Sequence, residues 1–156
     1  MSQSPLSGNA NSRQLVVFVL SDEEYGLPIR SVQEVIRYQQ PRAVASSDST
    51  LMGVINLRGQ IVPVRDVRPA LGLKSSADRP GEKIVLINSD ESMAGVIVDD
   101  VSEVLTVDTS EFEDLPTSGN PIVDGVVKSG DRLIILLDPT ALAGSAGMDA
   151  GDAPVV

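Results

Sequence analysis

Apolar residues along this chain gather in short runs rich in Val and Ile. The runs are Leu15–Leu20, Tyr25–Ile29, Glu34–Tyr38, Gly53–Leu57, Gln60–Val64, Lys83–Asn88, Met93–Val98, Glu103–Val107, Ile122–Lys128 and Arg132–Leu137. β-Branched runs of this length, bounded by Gly, Asp, Ser and Pro, predict ten strands. Pro28 and Pro63 cannot donate to a ladder, so their strands are expected at an edge or beside a bulge. Short helical turns are expected at Arg30–Gln33, Asp66–Leu71, Asp99–Ser102 and Asp138–Leu142. Residues 1–13 are polar, and residues 144–156 are small and acidic. Neither segment can bury enough apolar area to offset the entropy of ordering, so both are expected to be disordered tails.

The strands repeat. At an offset of 69, Gly26 meets Gly95, Ile29 meets Val98, Val32 meets Val101, Glu34 meets Glu103 and Val35 meets Val104. At an offset of 72, Gly53 meets Gly125, Val54 meets Val126, Ile61 meets Leu133 and Asp66 meets Asp138. An ordered series with one small length change indicates a duplicated unit of five strands. Five short strands lose most of their exposed edge by curling into a small barrel. The expectation is an all-β body of two five-stranded barrels, approximately residues 14–80 and 81–143, packed through a shared apolar layer with a groove between them.

Composition removes much of the common chemistry. The 156 residues contain no His, no Cys and no Trp. Ser-His and Cys-His nucleophile pairs and the usual zinc sites are therefore excluded, and no phosphate-cradling glycine motif occurs. No cofactor and no metal are expected. Asp99-Asp100 resembles the acidic pair of phospho-accepting receiver domains, but no Lys or Arg follows Arg132 to complete such a site. An enzyme using Asp99, Asp100 and Glu103 on a divalent ion is the rival reading. No apolar run reaches the ~18 residues of a membrane span, and the N-terminus lacks a secretory pattern, so a cytoplasmic protein is expected. The net charge of −10 is uneven: residues 1–83 carry ten basic and eight acidic side chains, residues 84–156 two and fourteen. Such a chain should be repelled by nucleic acid and anionic lipid. Its partners are expected to be proteins.

Duplication also separates shared from private residues. Gly53 and Gly125 share a position, as Asp66 and Asp138 do, which points to structural roles: close backbone approach and capping. Asn56-Leu57-Arg58-Gly59 differs. The second repeat has Lys128-Ser129-Gly130-Asp131 there, an ordinary hairpin turn. Arg58 therefore has no counterpart, and a planar guanidinium suits an interface anchor. The alternatives are a solvated turn residue or an intramolecular ion pair, with Glu34 as the partner.

Asp22-Glu-Glu-Tyr-Gly-Leu-Pro-Ile, Val32-Gln-Glu-Val-Ile, Met52-Gly-Val-Ile-Asn-Leu-Arg-Gly-Gln-Ile-Val-Pro-Val and Gly95-Val-Ile-Val-Asp-Asp-Val-Ser-Glu-Val resemble the CheW family of bacterial chemotaxis coupling proteins. Gly125-Val-Val-Lys and Arg132-Leu-Ile-Ile-Leu-Leu-Asp match its closing segment. The resemblance covers about residues 14–143. It implies two SH3-like barrels and a non-enzymatic adaptor that joins the cytoplasmic tip of methyl-accepting chemoreceptors to the regulatory domain of a CheA-type histidine kinase. It implies receptor contact through Val32, Glu34, Asn56, Leu57 and Arg58, and kinase contact through Ile29 and Val32. A monomer recruited to membrane-associated receptor arrays follows, or an adaptor of the same fold in a pilus, gliding or developmental pathway. Two departures from the family pattern stand out. Ala45–Leu51 replaces a segment that often holds Pro and an aromatic, so that loop is expected to be mobile. Arg65 takes a position that is commonly apolar, and is expected to face solvent.

Overall fold

The computed structural model describes residues 11–73, 83–89, 92–114 and 120–143. Among the described residues there are eleven strands: β1 Ser12–Leu20, β2 Glu23–Pro28, β3 Val32–Arg37, β4 Leu51–Leu57, β5 Gln60–Arg65, β6 Lys83–Ser89, β7 Ser92–Val98, β8 Asp100–Asp108, β9 Phe112–Glu113, β10 Val123–Ser129 and β11 Arg132–Leu137. The ten expected runs all form strands. The eleventh, β9, is two residues long and carries no alternation to read. Ser12 and Arg13 belong to β1, not to a tail; residues 1–10 and 144–156 lie outside the described residues.

The strands form two sheets, ordered β8-β1-β2-β11-β10-β9 and β3-β6-β7-β5-β4. These sheets cut across the boundary expected at residues 80/81. The first hairpin of each repeat pairs with the later strands of the other: β1 lies against β8, β2 runs parallel to β11, β6 lies against β3, and β7 runs parallel to β5. The two joints are equivalent. Leu136 faces Gly26 in one, and Val64 faces Gly95 in the other. Because the copies are alike, a hairpin is complementary to either set of later strands, and sequence alone does not choose. The 3-10 turn at Ile29–Ser31 carries the chain from β2 in one sheet to β3 in the other.

Each sheet curls around its own apolar cluster. Leu15, Val17, Val107, Val127, Ile134 and Leu136 fill the six-stranded sheet, with Leu105 and Phe112 from its edges beside them. Ile55, Val62, Val64, Ile84, Leu86 and Ile97 fill the five-stranded one. Edge strands β3 and β4 both feed the latter through Ile36 and Ile55, as barrel closure requires. A third cluster joins the sheets: Phe18, Leu20, Tyr25 and Leu27 meet Val85, Ile87, Val96 and Val98. On β6, Ile84 and Leu86 point into the barrel while Val85 and Ile87 point into this layer. Burial of both faces is why the run Ile84–Ile87 is continuously apolar.

The local signals resolve individually. A Cβ on Gly53 would lie 2.1 Å from the Arg42 carbonyl oxygen, and one on Gly125 would lie 2.7 Å from that of Glu113. Asp66 Oδ1 accepts from Arg68 N and Asp138 Oδ1 from Thr140 N, both two residues on. Helical turns form at Ile29–Ser31, Pro69–Leu71 and residues 139–143, but not at Asp99–Ser102, where β8 has already begun. Neither proline strand is an edge, though the β4–β5 ladder that holds Pro63 carries a bulge between Leu51 and Gly53. Pro28 closes β2, and Pro63 precedes the parallel ladder that starts at Val64.

Candidate functional site

The β4–β5 hairpin ends at the pair Leu57 and Gln60, leaving Arg58 and Gly59 as a two-residue loop. Their φ angles are 51° and 85°, a doubly left-handed turn that suits the twist of the flanking strands. Asn56 Oδ1 accepts from Gly59 N at 2.9 Å and braces the turn. Leu57 is half-buried against the five-stranded cluster. Arg58 takes the place of Gly130, whose φ is 63°. An arginine held in the left-handed region costs about 1 kcal/mol or more, and the other copy avoids this cost with glycine. The Arg58 side chain is 66% exposed and donates from Nη2 to Glu34 Oε1. Arg58 is therefore both exposed and ion-paired with Glu34.

Glu34 lies on β3 just after a bulge: Val32 pairs with Ile87 and Glu34 with Leu86, leaving Gln33 extra. Gln33 accepts from Asn88 Nδ2 at 2.9 Å. Val32 is half-buried against the layer between the sheets. The equivalent Glu103 is also paired, to Arg132 at 2.6 Å, and Arg132 holds Glu24 at 2.9 Å as well. Both copies thus tie this glutamate to an arginine of the neighbouring hairpin. Only in the first copy does that arginine stand at the tip.

Ile29 opens the 3-10 turn and is 39% exposed. A crevice of about 520 Å³ opens beside it, lined among others by Arg13, Leu15, Arg30, Phe112, Asp124 and Leu136. Arg13 stacks over the Phe112 ring at 5.7 Å. Partial burial, then Asp138 and Asp114, hold the Asp124 carboxyl above its ordinary range. The structure therefore brings Glu34, Asn56, Leu57 and Arg58 together around one hairpin and sets Ile29 at a separate crevice that Arg58 does not line. The crevice residues Arg13, Phe112 and Asp124 were not anticipated, because three strands distant in sequence assemble them. Val35 and Ile61 on the five-stranded sheet are exposed, as are their repeat equivalents Val104 and Leu133.

The acidic trio expected as a rival metal site is dispersed. Asp99 accepts from Ser21 N at 2.7 Å and from Arg68 at 3.2 Å, Asp100 pairs with Lys83, and Glu103 pairs with Arg132. Among the described residues, no three acidic side chains gather as metal ligands do. No helix among them is long and apolar enough to cross a membrane.

The family described as CheW-like domain matches residues 14–147. The chain is 31% identical to chemotaxis protein CheW of Klebsiella aerogenes, covering 93% of this chain and 90% of that protein. It is 30% identical to chemotaxis protein CheW of Bacillus subtilis, covering 83% and 85%. Protein PilI of Pseudomonas aeruginosa is 27% identical, over 77% of this chain and 69% of its own length. Among solved structures, scaffolding protein TtCheW from Thermoanaerobacter tengcongensis superposes with a TM-score of 0.74 at 32% identity, covering 81% of this chain and 88% of that one.

Proposed function

The chain belongs to the CheW-like family, and on that premise we propose that it is a non-enzymatic chemotaxis adaptor. It joins the cytoplasmic tips of chemoreceptors to the regulatory domain of a CheA-type histidine kinase. Arg58, Leu57, Asn56, Glu34 and Val32 form the receptor contact; Ile29 and Val32 form the kinase contact. The observation that carries this reading is Arg58, a long cationic side chain kept exposed on a strained turn where the duplicate copy has glycine. Strain kept at a solvent-facing tip supports a binding role, because the exposed ion pair with Glu34 returns no more to the fold than the strain costs it. An adaptor of this kind adds no chemistry. It raises the effective concentration of kinase beside receptor, and avidity across many such links supplies the affinity.

The test is reconstitution of receptor, kinase and this protein, with kinase autophosphorylation as the readout. Arg58→Glu should abolish receptor-dependent stimulation while leaving kinase pull-down intact, whereas Ile29→Asp should reduce kinase pull-down, and stimulation with it, while leaving receptor binding intact. Ile29 is exposed enough to accept the charge without unfolding. Normal stimulation with Arg58→Glu would overturn the receptor assignment. The similarity to PilI keeps a second reading in view, an adaptor of a type IV pilus pathway; pull-down with receptors and kinases of both pathways separates the two.

A further inference from the structure

A separate cavity of about 550 Å³ lies where the Asp48–Thr50 loop and the end of β5 approach Ile122 and the 139–143 turn. Arg65 lines it. Contrary to the expectation of a solvent-facing edge residue, the Arg65 side chain is only 6% exposed. Its Nη1 donates to Thr50 Oγ1 and to Asp48 Oδ2, each at 2.5 Å. Its Nε and Nη2 are buried with no hydrogen-bond partner. At an offset of 72 the duplicate copy has Leu137, buried in the core. The fold therefore accepts an aliphatic side chain at this position, and the arginine answers some other need.

Nε and Nη2 are the two donors on one side of a guanidinium. They point in parallel and match the two oxygens of a carboxylate. Two buried donors without acceptors are costly, and an incoming acceptor recovers that cost. Val67, Ile122, Ala141 and Leu142 give the cavity an apolar wall, with Asn120 a polar residue among the rest of its lining. The volume falls in the range of small-molecule sites and far exceeds one carboxylate. Asp48 already supplies one negative charge, which disfavours a dianion. We propose that this cavity binds a small monocarboxylate with a short apolar tail, its carboxylate on Arg65 Nε and Nη2 and its tail against Ile122, Ala141 and Leu142. Both nitrogens are closed to solvent without ligand, so binding turns a lining side chain aside.

The test is a titration of the full chain, labelled with nitrogen-15, against sodium hexanoate. The controls are 1-hexanol, which has the tail without the charge, and sodium chloride at equal ionic strength. Hexanoate should give a saturable shift of the Arg65 Nε–H signal and of the Ile122, Ala141 and Leu142 amides. Hexanol and chloride should leave Arg65 Nε–H unmoved. Arg65→Met should weaken binding by about tenfold or more, the worth of one charge-assisted hydrogen bond. Ala141→Phe fills the cavity while keeping the guanidinium and its Asp48 partner, and should abolish the shifts. A flat response to hexanoate would overturn the proposal, as would an equal shift with hexanol. If Arg65→Met does not fold, hexanoate binding retained by Ala141→Phe would overturn it instead.

Discussion

At Arg58, backbone cost and side-chain use can be measured apart. The left-handed φ costs about 1 kcal/mol, while an exposed ion pair such as that with Glu34 contributes about 0–1 kcal/mol. Arg58→Gly removes both, so the two changes offset. Urea unfolding should move the stability by no more than about 1 kcal/mol, whereas receptor coupling should be lost. A large loss of stability would mean that Arg58 serves its own barrel. Asp124 gives a second residue-scale test, with a defined sign. Its folded pKa is raised, so the ionised form disfavours the fold. The stability it contributes is complete below the ordinary value of 3.8 and is lost as pH rises through the folded value. Asp124→Asn should therefore raise the melting temperature slightly at pH 7 and leave it unchanged at pH 3. Equal shifts at both values would remove the charge from the explanation. A cationic partner group seated in that crevice would relieve the same penalty.

Among the elements, Gly53 shows how a short bridge sets the shape of a strand. The Arg42 backbone exchanges hydrogen bonds of 2.8 and 2.9 Å with Val54, and the approach leaves no space for a side chain at Gly53. Its φ of 148° adds to the constraint. Gly53→Ala should destabilise by about 2–4 kcal/mol through overpacking and strain. Gly59→Ala, at an open position, should cost only about 1 kcal/mol, from backbone conformation alone; circular-dichroism melts would rank the pair. This level of structure was largely legible beforehand. β-Branched runs located ten strands, and the duplication marked Gly53, Gly125, Asp66 and Asp138 as structural and Arg58 as private to one copy. What could not be read depended on partners. Strand β9 is defined only by pairing with β10. Asp99 meets Ser21 and Arg68, so it caps no helix. Arg65 looks like a surface residue until the Asp48–Thr50 loop folds over it.

Exchange of hairpins makes the whole molecule one unit. Every sheet contains strands from both repeats, so neither sheet can be lost while either repeat keeps its pairings. Phe18, Leu20, Tyr25 and Leu27 on one side and Val85, Ile87, Val96 and Val98 on the other then share a single apolar layer. Had each repeat closed on itself, only that layer would couple the barrels, and one could melt before the other. The chain carries a reporter for each side in its two tyrosines. Tyr25 is buried in the layer beside Phe18, at a ring-centroid distance of 6.3 Å. Tyr38 packs on the cluster inside the five-stranded sheet. Tyr38→Phe leaves Tyr25 as the fluorescent reporter, and Tyr25→Phe leaves Tyr38. Within each variant, the tyrosine transition should coincide with the far-ultraviolet transition in denaturant, as a two-state unit requires. If either tyrosine instead lost its native signal while part of the strand signal persisted, the barrels would unfold independently, and the exchanged pairing would not be what holds them together.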